Sequence, residues 1–539
     1  PSHRFNAGYS GAEWQFETDP DDPQVFIDSS LIVRTQNTTL LDRQMTRNRT
    51  NASLILDYRS DWYEVKFFNL LSIKNDDVTS RDSRFMFNPQ GTPANYQHTV
   101  RDEMWKTLTR THTLQNSFRF GSSKLDVDLS HTYAEVNMDE QYFPLIESND
   151  YQLNQNTLIY AQPDNVLDRV GGFDSLRIAD SYLQEFNRGD RKLLDKSYDV
   201  KLDYELAYAF GGVSGKLQLG GKYHQLTRTS DGTSRLNSFQ WGGSVARRQA
   251  LLAMFPDLQT DIGAQRGISA SNFIDHNYDP GEFLNGRYEL GWSADLDLLK
   301  DMHDQYWAAN GPETTNNLYY VRGVESYRRD YETSEKLYAG YIMAEINLGR
   351  RLMLLPGVRY ENMQTEYQAW HVVTNSGATG IEPNPDSVVT NRENMGWYPS
   401  LNIKYKATDN ISIQGAVYKS TTRPSFRRIS PFVMYSTTNL STLESNNPYL
   451  EPAKAWNYDL GVSIMQPKIG LLTVFGFYKQ IEDLVFIMNS YKPYKKGDII
   501  GGPEDLDDRI LGAEYYNPFY LSAARTTNLP FNNTEKATV

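Results

Sequence analysis

The sequence predicts an all-β fold, a large antiparallel transmembrane β-barrel with short turns at one end of its strands and long loops at the other. Three observations lead to this prediction. Strands of unusual length carry one apolar and one polar face, tight turns alternate with long polar excursions, and aromatic residues are abundant in a chain without long apolar segments. Barrels of this kind lie in the outer membrane of Gram-negative bacteria, with periplasmic turns and extracellular loops.

The clearest strand pair covers residues 198–226. Apolar or aromatic side chains alternate with charged or small ones through 198–210, and the alternation resumes at 213 after a Gly-Gly turn. Period-two alternation is typical of a strand with one apolar face. A soluble sandwich strand has about 5–6 residues, whereas a strand that crosses a membrane needs about 9–11. The length of this pair therefore favours a membrane barrel.

Six such pairs follow one another along the chain, each joined by a tight turn. They cover about 48–58 with 62–74, 108–120 with 124–138, 198–210 with 213–226, 335–348 with 351–367, 395–407 with 411–422, and 455–466 with 469–486.

Long excursions rich in Asn, Asp, Gly, Pro and Ser separate the pairs. Loops of this length without structure are uncommon in compact soluble domains, so their regular placement at one strand end supports the barrel. They cover about 75–107, 139–194, 230–334, 368–394, 423–454 and 487–533.

The longest excursion, 230–334, is predicted to be an extracellular loop with structure of its own. Helix-like spacing at 244–255 and 293–307 predicts two short helices within it. A small separate domain inserted at this point is the alternative.

Composition limits the classes of function. The 539 residues include 36 Tyr, 24 Phe and 9 Trp, a supply that the interface girdles of a barrel would use. Cys is absent, which excludes disulfides, a thiol nucleophile and thiolate metal ligands. The formal net charge of −13 argues against a nucleic-acid partner. The mean hydropathy of −0.60 fits a barrel, because half of each strand faces water.

The sequence offers no catalytic constellation, resident metal site or cofactor motif. His224 and His303 lack the paired spacing of a metal site, and His224 is interpreted as a polar wall residue. Acidic clusters at 19–22 and 504–508 could bind Ca²⁺ through oxygen ligands, but they lack the spacing of a known calcium loop. We therefore expect a protein that is not an enzyme.

Ligand-binding candidates concentrate in the 230–334 excursion. Aromatic rings and arginines are frequent in surfaces that capture ligands, and the alternative role for the same residues is loop packing. The candidates are Trp241, Arg247, Arg248, Trp292, Tyr306, Trp307, Tyr319 and Tyr320.

Residues 418–486 resemble the TonB-dependent outer-membrane receptors. The resemblance lies in a Tyr…Arg-Pro-Ser segment, an Asn-Pro-x-Leu-x-Pro segment before an Asn-x-x-Leu-Gly strand, and a Phe-Tyr-Lys strand. Here Arg423 could contact a ligand or could be a rim arginine in a polar network. The motif residues are Tyr418, Arg423, Pro424, Ser425, Asn447, Pro448, Leu450, Pro452, Asn457, Leu460, Gly461, Phe477, Tyr478 and Lys479.

The resemblance implies a 22-stranded barrel in the full protein, of which residues 1–539 are expected to form a part. It also implies an energy-coupling box and a plug domain that fills the lumen. Neither is recognised in this chain, and we expect both outside the given sequence.

The function implied by the resemblance is TonB-dependent uptake of a large scarce ligand, such as a ferric siderophore, a cofactor or an oligosaccharide. The expected partners are the TonB complex through the plug and coupling box, outer-membrane lipid, an extracellular ligand and an accessory surface lipoprotein. Two alternatives remain at this stage, a passive porin or adhesin barrel and a secreted carbohydrate-active β-sandwich enzyme.

Overall fold

A computed structural model describes most of the chain. The described residues are 2–9, 12–18, 26–35, 37–86, 94–151, 178, 181–239, 245–260, 267–286, 288, 290–321, 326–376, 380–381, 385–436, 442–466, 470–488, 525–527, 529–532 and 536–539.

Strands make up most of the described structure. They are β1 Ser2–Tyr9, β2 Ala12–Thr18, β3 Phe26–Thr35, β4 Asn37–Arg59, β5 Tyr63–Met86, β6 Ala94–Phe120, β7 Ser123–Tyr151, β8 Ser181–Leu183, β9 Glu185–Phe210, β10 Val213–Ser238, β11 Ile268–Ser269, β12 Tyr320–Val321, β13 Tyr331–Leu348, β14 Leu352–Ser376, β15 Gly380–Ile381, β16 Asp386–Lys406, β17 Ile411–Thr422, β18 Val433–Ser436, β19 Thr442–Ser445, β20 Ala453–Gln466, β21 Gly470–Glu482, β22 Val485–Met488, β23 Arg525–Thr527, β24 Leu529–Asn532 and β25 Ala537–Thr538.

Helices are few among the described residues. They are α1 Val245–Met254, α2 Leu296–Asn310, the single-turn α3 Phe426–Ile429, and a 3₁₀ turn at Ala270–Phe273. None of the helices in the described ranges is long and apolar enough to cross a membrane.

The long strands form one antiparallel meander. Neighbours pair in the order β4-β5-β6-β7-β9-β10-β13-β14-β16-β17-β20-β21. β1 pairs with β4 at one edge, and β25 pairs with β21 at the other. All six predicted strand pairs are present in this order, so the predicted all-β architecture is confirmed.

Tight turns join the strands of the first five pairs at one end of the sheet. Between β9 and β10, Gly211 and Gly212 both have positive φ, at 55° and 83°. A two-residue hairpin turn with positive φ at both positions matches the twist of the flanking strands, and glycine adopts it without a Cβ clash. The Gly-Gly pair therefore fixes the register of this hairpin.

The predicted excursions are wrong in extent, because the strands continue into them. β5 runs on to Met86 and β6 begins at Ala94, so most of the predicted 75–107 loop is strand. The same holds for 139–151 and 185–194. In 75–84 nearly all residues on both faces are polar, and the apolar alternation that reveals a strand is lost.

Near the turns, one face of the sheet carries exposed apolar side chains. In β5, Phe67, Leu71 and Ile73 share this face, and Ile342 in β13 and Leu460 in β20 are 51% and 61% exposed. We call this the outer face and the opposite one the interior face. An outward-facing apolar band of this kind is the surface that contacts lipid in an outer-membrane barrel.

Aromatic pairs border the apolar band on the outer face. At its upper edge, Tyr223 lies 5.2 Å from Tyr338, and Tyr360 lies 4.8 Å from Trp397, between ring centroids. At its lower edge, Trp62 is exposed at the turn between β4 and β5. Aromatic girdles at both interfaces are typical of outer-membrane barrels, so the strand extensions beyond the upper girdle lie outside the membrane.

Between β10 and β13 the chain forms a small folded unit, here named the cap and defined as the described residues within 245–319. Both predicted helices are confirmed as α1 and α2, but 230–238 and 331–334 belong to strands rather than to the loop. The cap packs on the outer face of the strand extensions. Phe186 shares its strand face with exposed Tyr198, and Phe143 shares its face with exposed Leu129.

The core of the cap is continuous with this wall surface. Its buried members are Val100, Phe143, Leu145, Leu183, Phe186, Phe239, Leu251, Ile268, Ala270, Phe273, Ala294, Leu296, Leu299, Met302, Tyr306 and Tyr319.

Candidate functional site

A cavity of about 680 Å³ opens on the interior face of the strand extensions. Side chains from β5, β6, β7, β9 and β10 line it, together with Ser326 and Arg329 from the segment before β13. The wall side chains reach it by strand alternation. In β5, Asp82 and Arg84 point away from the face that carries Phe67. The volume lies within the range of about 300–1,000 Å³ found for ligand pockets.

Hydrogen bonds hold the 326–330 segment against the cavity wall. The backbone N–H of Ser234 donates to Ser326 Oγ at 3.0 Å, and that of Gly232 donates to an Asp330 carboxylate oxygen at 2.9 Å. These donors lie on β10 beyond the end of its ladder with β13, at Ser230. Backbone groups left unpaired by the ladder thus position Arg329 at the cavity.

One cavity arginine is neutralised by neighbouring carboxylates. Arg101 lies 3.3 Å from Glu140 and 3.6 Å from Glu103, and its guanidinium sits over the Tyr142 ring, 5.3 Å from the centroid. Glu103 also accepts the indole N–H of Trp105 at 3.2 Å. This part of the cavity is a closed polar network beside two aromatic rings.

A second cavity arginine, Arg191, is bonded to a hydroxyl group rather than to a carboxylate. Arg191 donates from Nε and Nη2 to Ser230 Oγ at 3.3 and 3.1 Å. Within the described part of the chain, neither Arg191 nor Arg329 has a carboxylate at ion-pair distance. Burial lowers the pKa of the Arg191 guanidinium, and the positive charges of Arg329 and Arg427 lower it further. The negative charge of Asp330 opposes this shift, so charges of both signs meet at this end of the cavity.

Carboxyl groups around the cavity are also perturbed by burial. Burial raises the pKa of Asp82 to about 6, against the opposing charges of Arg101 and Arg84. It raises the pKa of Asp330 to about 7 and that of Glu140 in the same direction. Burial penalises the charged form of each of these carboxyl groups.

The structure gathers most of the predicted ligand-binding residues in the cap, away from the cavity. Tyr306 and Tyr319 are buried in the cap core, with ring centroids 5.9 Å apart. Trp307 packs on Tyr319 at 4.6 Å and lies beneath the Arg188 guanidinium at 5.2 Å. Trp292 lies against His98 of the wall at 4.7 Å.

Of the remaining predicted ligand-binding residues, two lie on α1 and two fall outside the described part of the structure. Arg247 Nε donates to the Leu318 carbonyl at 3.0 Å, which fixes α1 to the end of the cap. Arg248 is partly buried on the same helix. Trp241 and the side chain of Tyr320 fall outside the described residues, as do the acidic clusters at 19–22 and 504–508.

Two of the motif residues that carried the family resemblance make hydrogen bonds within the wall. Arg423 donates to Glu361 Oε2 at 2.7 Å. Asn457 Nδ2 contacts Ser420 Oγ at 3.0 Å, as well as the carbonyls of Tyr418 and Ala455 at 3.3 and 3.2 Å. His224, the predicted wall residue, lies 2.9 Å from Asp199 between β10 and β9.

The Asn-Pro-x-Leu-x-Pro segment is held by an arginine that sequence reasoning missed. Arg392 of β16 donates to the carbonyls of Pro448 and Leu450 at 2.7 and 2.6 Å. Its other guanidinium nitrogen donates to Glu451 at 2.6 Å. Leu450 is buried, and Asn447 donates to the Pro530 carbonyl at 3.1 Å. Pro424 lies two residues beyond the end of β17, and Pro452 directly precedes β20, so neither missing N–H costs a ladder bond.

Sequence reasoning also missed the cavity residues, because they lie on strands that were predicted to be loops. The polar side chains at every second position of 82–84 and 97–105 could have revealed them. This alternation continues that of the membrane-spanning parts of the same two strands. In the described ranges, no group of three or more His, Asp or Glu side chains could hold a metal ion.

Comparison with known protein families assigns most of the chain to one of them. Residues 141–525, more than half of the 539-residue chain, match the family described as TonB dependent receptor-like, beta-barrel. A comparison with curated protein sequences finds no match.

Several solved structures are similar at low sequence identity. The hemophore receptor HasR of Serratia marcescens, in complex with its hemophore HasA and heme, is 8% identical with a TM-score of 0.36, over 91% of this chain and 59% of HasR. The ferric-catecholate import receptor Fiu of E. coli K12 is 12% identical with a TM-score of 0.38, over 87% and 58%. The siderophore receptor PiuA of Acinetobacter baumannii is 10% identical with a TM-score of 0.36, over 87% and 57%. The chain thus spans under three fifths of each.

The family match agrees with the features of the wall described above. Antiparallel strands, an apolar outer band and aromatic girdles are the features of an outer-membrane barrel, and the family consists of transport receptors rather than enzymes. The chain therefore belongs to the TonB-dependent receptor β-barrel family and lies in the bacterial outer membrane.

Proposed function

We propose that the full protein is a receptor for energy-coupled, TonB-dependent uptake of a large scarce ligand, such as a ferric siderophore, a cofactor or an oligosaccharide. The observation that carries the proposal is the interior-face cavity, which lies beyond the upper aromatic girdle in a wall whose residues 141–525 match the family. A ligand arriving from outside would meet this cavity before it reached the membrane-spanning part of the wall. The protein binds and releases its ligand without altering it covalently.

The partners are part of the same proposal. A plug domain carrying a coupling box would connect the wall to the TonB complex, and energy from the inner membrane would displace the plug. Outer-membrane lipid surrounds the apolar band, and an accessory surface lipoprotein would assist capture. Trp307 of the cap and Tyr320 of β12 remain candidates for contact with ligand or lipoprotein.

The test is uptake in a Gram-negative host that lacks its own high-affinity receptors. The complete gene is expressed in hosts with and without TonB, and entry of labelled ferric chelates, cobalamin and oligosaccharides is measured. We expect uptake of one class that disappears without TonB, while a passive porin expressed in parallel is unaffected. Uptake at equal rates in both hosts would establish a passive porin instead.

A further inference from the structure

A patch of basic side chains lies on the outer face of the wall, just beyond the upper aromatic girdle. Strand alternation places Arg110 of β6 and Lys196 of β9 on this face, because they share the parity of the exposed Met104 and Val200 on the same strands. Leu71 of the apolar band lies directly opposite Arg110 in the neighbouring strand β5. The patch therefore begins where the apolar band ends.

Strand register arranges this patch as three cross-strand rows on β6, β7 and β9, here named the basic grid. Its four basic residues occupy the corners, about 10 Å apart across the strands and about 13 Å apart along them, which is the size of a lipid headgroup with two phosphates. Counted away from the membrane, the rows are Arg110 with Tyr133 and Lys196, Leu108 with Glu135 and Leu194, and Lys106 with Asn137 and Lys192.

The basic grid contains one acidic side chain, at its centre. Glu135 accepts hydrogen bonds from Tyr133 Oη and from Asn137 Nδ2, the latter at 2.7 Å, and lies 3.4 Å from Lys192 Nζ. Four cations against one carboxylate leave the grid with three net positive charges. The other three cations are exposed and, within the described part of the chain, have no carboxylate at ion-pair distance; they are Lys106, Arg110 and Lys196.

Carboxylates just beyond the basic grid are paired with arginines of their own. Asp139 of β7 lies 3.6 Å from Arg188, and Asp190 of β9 lies 3.7 Å from Arg235. The charges cancel within each of these pairs. The net positive charge of the basic grid is therefore not neutralised by its neighbours on the wall.

The cap bounds the basic grid on the side away from the membrane. Gln141 of β7, four residues beyond Asn137, donates to Asp304 of α2 at 3.2 Å. Lys300 of the same helix donates to Asp102 of β6. The basic grid thus lies between α2 above and the apolar band below, at the level of the lipid headgroups.

The wall is acidic at the corresponding height on its other described strands. Beyond the girdle residue Tyr338, the first three outer-face rows of β13, β14 and β16 contain a single cation, Lys336. They contain three carboxylates, those of Glu332, Glu366 and Glu393. Basic side chains at a membrane interface are common, but here they are concentrated on one side of the wall.

We propose that the basic grid binds the phosphate groups of an outer-leaflet lipid whose acyl chains lie on the apolar band below. Charge complementarity selects the phosphates. The direct continuity of the grid with the apolar band selects a lipid, because one amphiphile covers both surfaces. The site is on the outer face and does not depend on which ligand the interior-face cavity takes.

Native mass spectrometry of the full-length protein in neutral detergent tests this assignment. The probes are diphosphorylated lipid A, the same lipid after removal of both phosphates, and inorganic phosphate. We expect the diphosphorylated lipid to bind at least about tenfold more tightly than its dephosphorylated form. Its binding should weaken as salt is added, because salt screens exposed charges.

Two variants change the charge of the basic grid in opposite directions. Combining Arg110→Gln with Lys196→Gln should weaken binding of the diphosphorylated lipid about thirtyfold, the effect expected for two basic residues at an anionic lipid surface. Glu135→Gln should strengthen it about fivefold, because the opposing charge is removed. The matched control combines Lys336→Gln with Arg350→Gln, which removes two exposed charges elsewhere and should leave binding unchanged.

Far-UV circular dichroism and heat-modifiability on gels verify that each variant is folded. Equal affinity for the two lipids would overturn the proposal, because the acyl chains alone would then account for binding. Unchanged affinity in the folded Arg110→Gln, Lys196→Gln variant, or an equal loss in the control, would overturn it as well. Binding of inorganic phosphate as tightly as the lipid would assign the basic grid to a soluble anion instead.

Discussion

The ring of Phe186 in β9 meets that of Tyr306 in α2 nearly edge-on, with centroids 6.1 Å apart and planes at 71°. Both side chains are fully buried, and Tyr306 Oη also accepts a hydrogen bond from Asn237 of β10 at 3.1 Å. This contact joins the cap to the wall. Substitutions at this contact should therefore weaken the docking of the cap without altering the membrane-spanning strands.

Tyr306→Ala should loosen the cap. Removing a buried aromatic ring costs about 3–5 kcal/mol, and here the cost falls on cap docking. Backbone amides of α1 and α2 should exchange hydrogen markedly faster, as measured by mass spectrometry of the detergent-solubilised protein, while those near the turns stay protected. Leu298→Ala, at an exposed position of the same helix, serves as the control. Equal exchange in the two variants would show that the ring does not hold the cap.

Acid should also release the cap. Burial and the charge of Arg188 lower the pKa of His303 from 6.5 to about 3, and burial with Arg81 does the same for His98. A histidine whose pKa is lowered by docking stabilises the docked state fully above pH 6.5 and progressively less as the pH falls toward 3. For each histidine, the free energy that stabilises the docked cap falls by about 1.4 kcal/mol per pH unit in that window.

The acid response can be followed with a fluorophore, because the chain contains no cysteine. Labelling a Leu298→Cys variant reports on α2, and the urea midpoint of its signal should fall between pH 7.5 and pH 4.5. Adding His303→Gln should reduce this pH dependence, whereas adding His276→Gln, exposed in the cap, should preserve it. A midpoint independent of pH would contradict the prediction.

Arg392→Lys should free the Asn-Pro-x-Leu-x-Pro segment. Lysine keeps the charge but cannot bond two carbonyls and Glu451 together, so we expect a loss of roughly 1–2 kcal/mol in local stability. Hydrogen exchange of amides 446–451 should accelerate. Arg350→Lys in an exposed turn is the matched control, and a segment as protected as in the wild type would assign its anchoring to Asn447 instead.

Gly212→Val should impair the hairpin between β9 and β10. A β-branched residue at a φ of 83° is strained by about 1–3 kcal/mol. The variant should unfold at lower urea concentration after refolding in micelles. Gly476→Ala is the control, because the added Cβ would meet no atom within 4 Å and φ is not positive there. Equal midpoints for the two variants would show that this turn contributes little.

The membrane-spanning part of the wall was predictable from sequence, and its extension was not. In 198–226 lipid on one side and water on the other impose apolar-polar alternation, so hydropathy alone reveals the strands. Beyond the upper girdle that contrast disappears. Apart from Val78, the stretch from Asn75 to Arg84 is polar on both faces, and only its pairing with β4 and β6 shows that it is a strand.

The candidate site was less predictable for a related reason. Asp82, Glu140 and Arg191 lie far apart in the sequence and become neighbours only through the register of consecutive strands. Nothing local marks them as a group. The clustering of aromatic residues in 292–320 was visible in the sequence, but whether they would face a ligand or a packed wall depended on where α2 docks.

The length of β5 sets the height of the cavity above the lipid. From Ile73, in the apolar band, to Arg84, at the cavity, the strand rises by about 3.3 Å per residue. With the usual tilt of about 40°, this stretch climbs by roughly 28 Å. The Trp105 end of the cavity, which pairs with Asp76, lies three residues above Ile73, and its Arg84 end thus stands well above the acyl chains. A ligand can be intercepted there while it is still in water, and changes in acyl-chain composition should leave its capture unaffected.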